Sequence, residues 1–156
     1  MRVSGDQQPV DVAHIADLMV VDLQPSERLP DVAAAALVDG LDSPSLRTLA
    51  GTPATEVREA RDLFLAALAE LGIALPTPDQ ARWNLVRSWA DDIVSDRVAP
   101  NDGAHRIWQQ AFWQLGAPEV LTVFVGLADE WDDHEGHRGE LDTAIREAAR
   151  QYLDHA

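Results

Sequence analysis

Residues 129–142 bring together side chains that can bind metal ions or basic groups. The segment contains seven carboxylates, two histidines and a single arginine. His134 and His137 are three residues apart and Glu130 lies one turn before His134, so on a continuous helix the three would share a face. Two imidazoles and a carboxylate are a plausible ligand set for zinc or another divalent cation. A metal site at these three residues is therefore one hypothesis.

The spacing supports this metal site only weakly. The pattern HEGH is one residue short of the HExxH zinc motif, and Gly136 is expected to interrupt the helix. Two-metal carboxylate sites in helical bundles use Glu-x-x-His motifs. The closest matches, Asp102 to His105 and Asp11 to His14, have Asp in place of Glu. A solvated acidic connection between helices is the favoured interpretation, and no cofactor other than a divalent metal is indicated.

His105 is the best candidate for acid–base chemistry, because Asp102 could orient its ring and keep its pKa in a useful range. Other catalytic signatures are missing from the sequence. It has no glycine-rich phosphate loop, no G-x-S-x-G and no kinase or EF-hand pattern. With no cysteine and no lysine, thiolate and Schiff-base chemistry are excluded. No catalytic residue is assigned, and a non-enzymatic role is favoured.

The net charge of −15 is the main indication of a partner. So acidic a surface repels nucleic acids and anionic membranes and attracts basic proteins, although it could serve solubility alone. We therefore expect a protein-interaction module that binds a basic protein, in the manner of an inhibitor or immunity protein. The expected contact residues are the acids and tryptophan of the segment above, followed by a second acidic group: Asp129, Glu130, Trp131, Asp132, Asp133 and Glu135, then Asp91, Asp92 and Asp96. A third hypothesis is a non-catalytic subunit of a homo-oligomer, associating through Trp83, Trp113 and Val125.

The elements that would position these residues are predicted to be helices. Apolar residues recur at helical spacing in residues 101–115 and again in 118–131. Gly116 suits a left-handed helix end and Pro118 a first turn. The short connection favours a central antiparallel hairpin over residues 101–133. Earlier helices are predicted over 9–23, 30–40, 43–51, 55–71 and 77–96, and a last one over 140–153.

The whole pattern predicts an all-α, single-domain bundle of about six or seven helices. Residues 1–8 are expected to form a flexible N-terminus, and 9–156 a single acidic helical domain. Neither a signal peptide nor a membrane-spanning run is recognisable, so a soluble cytoplasmic protein is expected. The use of arginine without lysine, with many alanines, suggests a GC-rich bacterial genome.

Overall fold

The computed structural model describes residues 10–156, and the predicted all-α class is confirmed. Between those residues no β-strand occurs. The expected flexible segment 1–8 lies outside the described residues. The α-helices are α1 Val12–Val20, α2 Leu29–Val38, α3 Pro44–Ala50, α4 Val57–Glu70, α5 Pro78–Val94, α6 Pro100–Ile107, α7 Thr122–Asp133 and α8 Arg138–His155. The chain divides into two compact units, one ending at Ala81 and the other comprising Arg82–Ala156.

The first unit is built on small and aliphatic side chains around one aromatic ring. Phe64 of α4 is fully buried, and α2, α3 and α4 pack on one another. Two helices in this unit have side-chain caps at the residues where the sequence predicts them to begin, 43 and 77. The Ser43 hydroxyl accepts a hydrogen bond from the Leu46 backbone N–H at 3.1 Å, and the Thr77 hydroxyl accepts one from Gln80 N–H at 3.2 Å. These bonds satisfy backbone donors that a helix leaves without partners.

Asp11 has a structural role at the start of α1. In the sequence, Asp11 and His14 match a Glu-x-x-His motif only in part, because Asp replaces Glu. Asp11 is the N-cap of α1, and its carboxylate accepts a hydrogen bond from the His14 backbone N–H at 3.2 Å. A carboxylate at this position both satisfies a backbone donor and complements the helix dipole.

The second unit holds the candidate site. Its buried residues include Ile93 on α5, Ile107 on α6, Phe124 on α7 and Ile145 on α8, each fully buried. Helix α6 packs on α7 and α8, and α7 packs on α8. The apolar stripes of these helices explain that packing, because each helix has one face to remove from water.

The connection between α6 and α7 is more irregular than the hairpin prediction implies. Five residues after α6, Trp108–Phe112, wind as a π-helix, and a 3-10 turn at Glu119–Leu121 precedes α7. Gly116 has φ +81°, so its predicted left-handed conformation is confirmed, but Ala117 follows it with φ +54°. A π-turn inserts an extra residue and shifts the apolar stripe, which regular helical spacing cannot predict.

No helix in the described part of the chain is long and apolar enough to cross a membrane.

Candidate functional site at the C-terminal end of helix α7

Helix α7 presents its carboxylates outward because its apolar residues face the core. Phe124 and Ala128 are buried, whereas Asp129, Glu130 and Asp133 are exposed. The helix ends at Asp133, and the next residue leaves the helical conformation with φ −128° and ψ 78°. Glu135, in the following 3-10 turn, is also exposed. We call the exposed set Asp129, Glu130, Asp133 and Glu135 the α7 acidic end.

The three predicted metal ligands, Glu130, His134 and His137, line one cavity beside the end of α7. The end of α7 separates His134 from His137, so the two rings do not share a helical face. The Nδ1 atom of His134 lies 3.2 Å from the Glu130 backbone oxygen, and that of His137 lies 3.8 Å from the Glu140 carboxylate. Across residues 10–156, no group of three or more potential His, Cys, Asp or Glu ligands could hold a metal ion.

Trp131 is held within the second unit and is not presented as an exposed anchor. Its indole N–H donates a hydrogen bond to Asp142 at 3.0 Å. The Arg138 guanidinium lies 3.9 Å above the indole ring, and its Nε donates to the Trp131 carbonyl oxygen. Trp131 therefore joins the end of α7 to the start of α8, and its expected role at a partner surface stays a prediction.

The second predicted acidic group is neutralised by two arginines. Asp91 and Asp92 both bind Arg97, with 2.9 Å between Arg97 Nε and the Asp92 carboxylate. Asp96 pairs with Arg146 of α8 at 3.1 Å. These contacts explain why three carboxylates are tolerated at the C-terminal end of α5, where the helix dipole disfavours negative charge. The group is accordingly less available to a partner than the sequence suggests.

The α7 acidic end lacks such compensation. In the part of the chain that the structure describes, none of its four carboxylates takes part in an ion pair or a side-chain hydrogen bond. The last turn of α7 has no basic residue. Asp129 and Asp133 are four residues apart and Glu130 and Asp133 three apart, spacings at which like charges destabilise a helix by about 0.2–0.5 kcal/mol per pair.

His105 is bound to Asp132 rather than oriented by Asp102. Its Nε2 lies 2.8 Å from the Asp132 carboxylate, and its Nδ1 lies 2.6 Å from the Asn101 backbone oxygen. Both partners are acceptors, so a ring with two N–H groups satisfies both. A doubly protonated ring cannot act as a base, although it can still donate a proton. The geometry shows a pair that joins α6 to α7, and the acid–base role stays a prediction.

The pKa of His105 is raised above its ordinary value of 6.5. Burial alone would lower that pKa, but the hydrogen bonds to Asp132 and Asn101 and the charges of Asp132 and Asp102 together outweigh burial. A raised folded-state pKa gives a stability contribution that is complete below the unfolded pKa and is lost as pH rises through the folded pKa. We therefore expect His105→Gln to reduce the free energy of unfolding at about pH 5.5 and to have less effect at about pH 8.5.

Urea unfolding of the wild type and the variant at both pH values measures this difference. The loss of unfolding free energy in the variant should stay below about 1 kcal/mol, because Asp132 is half exposed and solvent partly screens the pair. Asp132→Asn is the matched control, since it removes the charge from the same pair and should also flatten the pH dependence. If the stabilities of the wild type and of His105→Gln change in parallel with pH, the ion pair between His105 and Asp132 does not stabilise the fold.

The side chains proposed for self-association differ in exposure. Trp113 is 65% exposed and Trp83 37% exposed, whereas Val125 is partly buried. The Trp113 ring packs edge-on against Phe112, with 4.9 Å between centroids. These residues do not identify a self-association surface, and the oligomeric hypothesis stays a prediction.

No protein-family model matches this chain, and no curated protein or solved structure is significantly similar to it.

Proposed function

We propose that this chain is a non-enzymatic, acidic helical interaction module that binds a basic protein partner through the α7 acidic end. The observation that supports the proposal most is the contrast between its two acidic groups. Each group lies at the C-terminal end of a helix. The carboxylates at the end of α5 are bound by Arg97 and Arg146, whereas those of the α7 acidic end are exposed and lack a counter-charge among the described residues.

A cationic partner would supply that missing compensation. Lys or Arg side chains placed against the α7 acidic end would offset the repulsion between neighbouring carboxylates and the unfavourable helix dipole. The net charge of −15 would in addition speed the encounter with a basic protein and disfavour acidic competitors. An inhibitor or immunity protein that covers the cationic surface of a cytoplasmic nuclease or toxin fits this electrostatic profile.

The test is affinity capture from native lysate at low salt, using the wild type and a variant that neutralises the α7 acidic end. The variant is Asp129→Asn/Glu130→Gln/Asp133→Asn/Glu135→Gln. We expect the wild type to capture a basic protein that elutes as ionic strength rises, since exposed charge pairs are screened by salt. The variant should capture about a tenth of that protein or less. It loses four exposed ion pairs with the partner, each worth about 0.2–1 kcal/mol, and their free energies add, so the fold-changes in affinity multiply.

A matched control removes the same number of charges elsewhere. Glu27, Asp31, Glu59 and Asp62 are exposed residues of the first unit, and none forms an ion pair with another described residue. Their amide variants change the net charge equally and should capture the partner as well as the wild type does. Equal loss of partner capture in both variants would show that only total charge matters. Undiminished capture by the α7 variant would contradict the proposed surface.

A further inference from the structure

Two cavities lie along the seam between α7 and α8, and we call them together the α7–α8 groove. At the apolar end, a cavity of about 290 Å³ is lined mainly by Val120, Val123, Ala148 and Tyr152. At the acidic end, a cavity of about 600 Å³ is lined by Leu127, Glu130, His134, His137, Glu140, Leu141 and Ala144. Val123 and Leu127 are one helical turn apart on α7, as are Ala144 and Ala148 on α8, so the two cavities follow one another.

Two hydrophobic side chains are exposed to solvent at the apolar end. Val120 is 52% exposed and Val123 46% exposed. Tyr152 is partly buried beside them, and its ring packs edge-on against Phe124 with 6.2 Å between centroids. Burial raises the pKa of Tyr152, so the phenol stays neutral near neutral pH. Tyrosine is enriched in the cores of protein interfaces and among the residues that contribute most binding energy.

The acidic end sets the charge that an occupant must have. The Glu140 side chain is 87% exposed, and Glu130 is exposed on the facing helix. Within the described chain, Glu140 forms one ion-pair contact, at 3.8 Å from His137, and Glu130 forms no ion pair. An occupant would therefore need positive charge at this end and apolar side chains at the other.

We infer that the α7–α8 groove binds an amphipathic helix of a basic protein, with its apolar residues near Val123 and its arginines or lysines near Glu130 and Glu140. Helix α7 has 12 residues and is roughly 18 Å long, a length that a helix of three to four turns would match. Helices bind such grooves through residues at i, i+3 or i+4, and i+7. The inference rests on the proposed function, because it specifies the part of the basic partner that is recognised.

The charge of this chain disfavours a second copy as the occupant. A second copy would bring another 15 negative charges to a groove that already has an acidic end. Repulsion of this kind opposes association at low and moderate salt. A basic helix gains from the same field.

The test uses two fluorescein-labelled peptides of identical composition and charge. The patterned peptide has leucines at positions i, i+3 and i+7 and arginines at one end. The scrambled peptide contains the same residues in a random order. Fluorescence anisotropy measures the affinity of each peptide for the wild type and for Val120→Ser/Val123→Gln. We expect the patterned peptide to bind the wild type about tenfold more tightly than the scrambled one, and the valine variant to lose that preference.

The controls separate the groove from the fold and from charge. Val38→Ser/Val57→Gln changes two exposed valines of the first unit and should leave the preference intact. Val123→Thr keeps the shape of the side chain and should lose part of the preference. This mild variant shows the effect of the groove even if the double valine variant fails to fold. Glu130→Gln/Glu140→Gln should weaken the patterned peptide several-fold at low salt and little at high salt.

Other outcomes overturn the inference. If both peptides bind the wild type equally and the neutralised α7 variant binds neither, basic chains are attracted without using the groove, and the proposed function survives. If neither peptide binds, the groove inference fails, while the proposed function is still decided by the lysate capture. If sedimentation shows that the wild type dimerises and Val120→Ser/Val123→Gln does not, a second copy occupies the groove.

Discussion

Replacing Trp131 by alanine is expected to lower the free energy of unfolding by about 2–4 kcal/mol. The substitution removes a hydrogen bond to Asp142, worth about 1 kcal/mol, and the contact with the Arg138 guanidinium, worth about 0.5–2 kcal/mol. It also removes the packing of a large, partly buried ring. Because these contacts join α7 to α8, the loss should be seen in the absence of any partner. Urea unfolding followed by circular dichroism measures it.

Trp131→Phe is the matched variant. It retains an aromatic ring beneath Arg138 but cannot donate to Asp142, so we expect a smaller loss of about 1 kcal/mol. If Trp131 were instead a partner anchor with no structural role, Trp131→Ala would leave stability within about 0.5 kcal/mol, as surface substitutions usually do. That result would reject the structural role and restore the interpretation that the sequence suggested.

Gly103→Ala is expected to destabilise the protein by up to about 2 kcal/mol, although alanine favours helix formation. A Cβ atom at Gly103 would lie 2.7 Å from Ile93 Cδ1 and closer still to Ile93 Cγ1. Ile93 is fully buried, so its side chain has little space in which to move. Overpacking typically costs about 1–3 kcal/mol, and the gain in helix propensity recovers about 1 kcal/mol of that.

Gly126 provides the control for this substitution. It lies in α7 with nothing within 4 Å of its added Cβ atom, so Gly126→Ala should raise stability by about 0.5–1 kcal/mol. The pair Gly103→Ala and Ile93→Ala should be less destabilising than the sum of its single effects, since the smaller residue makes room for the new methyl group. Equal stabilisation by both glycine substitutions would contradict the close approach of α5 and α6.

Local patterns were sufficient to predict the fold class and most helix positions. The caps at Ser43 and Thr77 depend on residues three positions apart, so they can be recognised in the sequence. The predicted left-handed glycine at Gly116 is likewise a local feature, and the structure confirms it. The π-helix after α6 was missed because its five residues have no composition that distinguishes them from an α-helix.

The candidate site was predicted only in part, because its contacts join distant residues. His105 and Asp132 are 27 residues apart, and Arg146 and Asp96 are 50 apart. Nothing local indicates such pairs, so the sequence suggested Asp102 as the partner of His105. Arg97 is an exception, since it lies only five and six residues after the two carboxylates that it binds, Asp92 and Asp91, and could have been recognised from that position.

The metal prediction assumed a helical geometry that the described chain does not have. It required one helix to continue through His134, but α7 ends at Asp133. Gly136 was identified as the residue that interrupts the helix, whereas the chain leaves the helical conformation two residues earlier. The acidic residues remain, and their exposure at the end of α7 supports a role in binding a partner more than one in binding a metal.

The central claim is that the α7 acidic end binds a basic protein. Its most direct test is the dissociation constant of the captured partner, measured from about 0.05 M to about 0.5 M salt for the wild type and for the variant with four neutralised carboxylates. We expect the wild type to bind at least about tenfold more tightly than the variant at low salt and to lose this advantage as salt is added. Equal dissociation constants with equal salt dependence would contradict binding through the α7 acidic end.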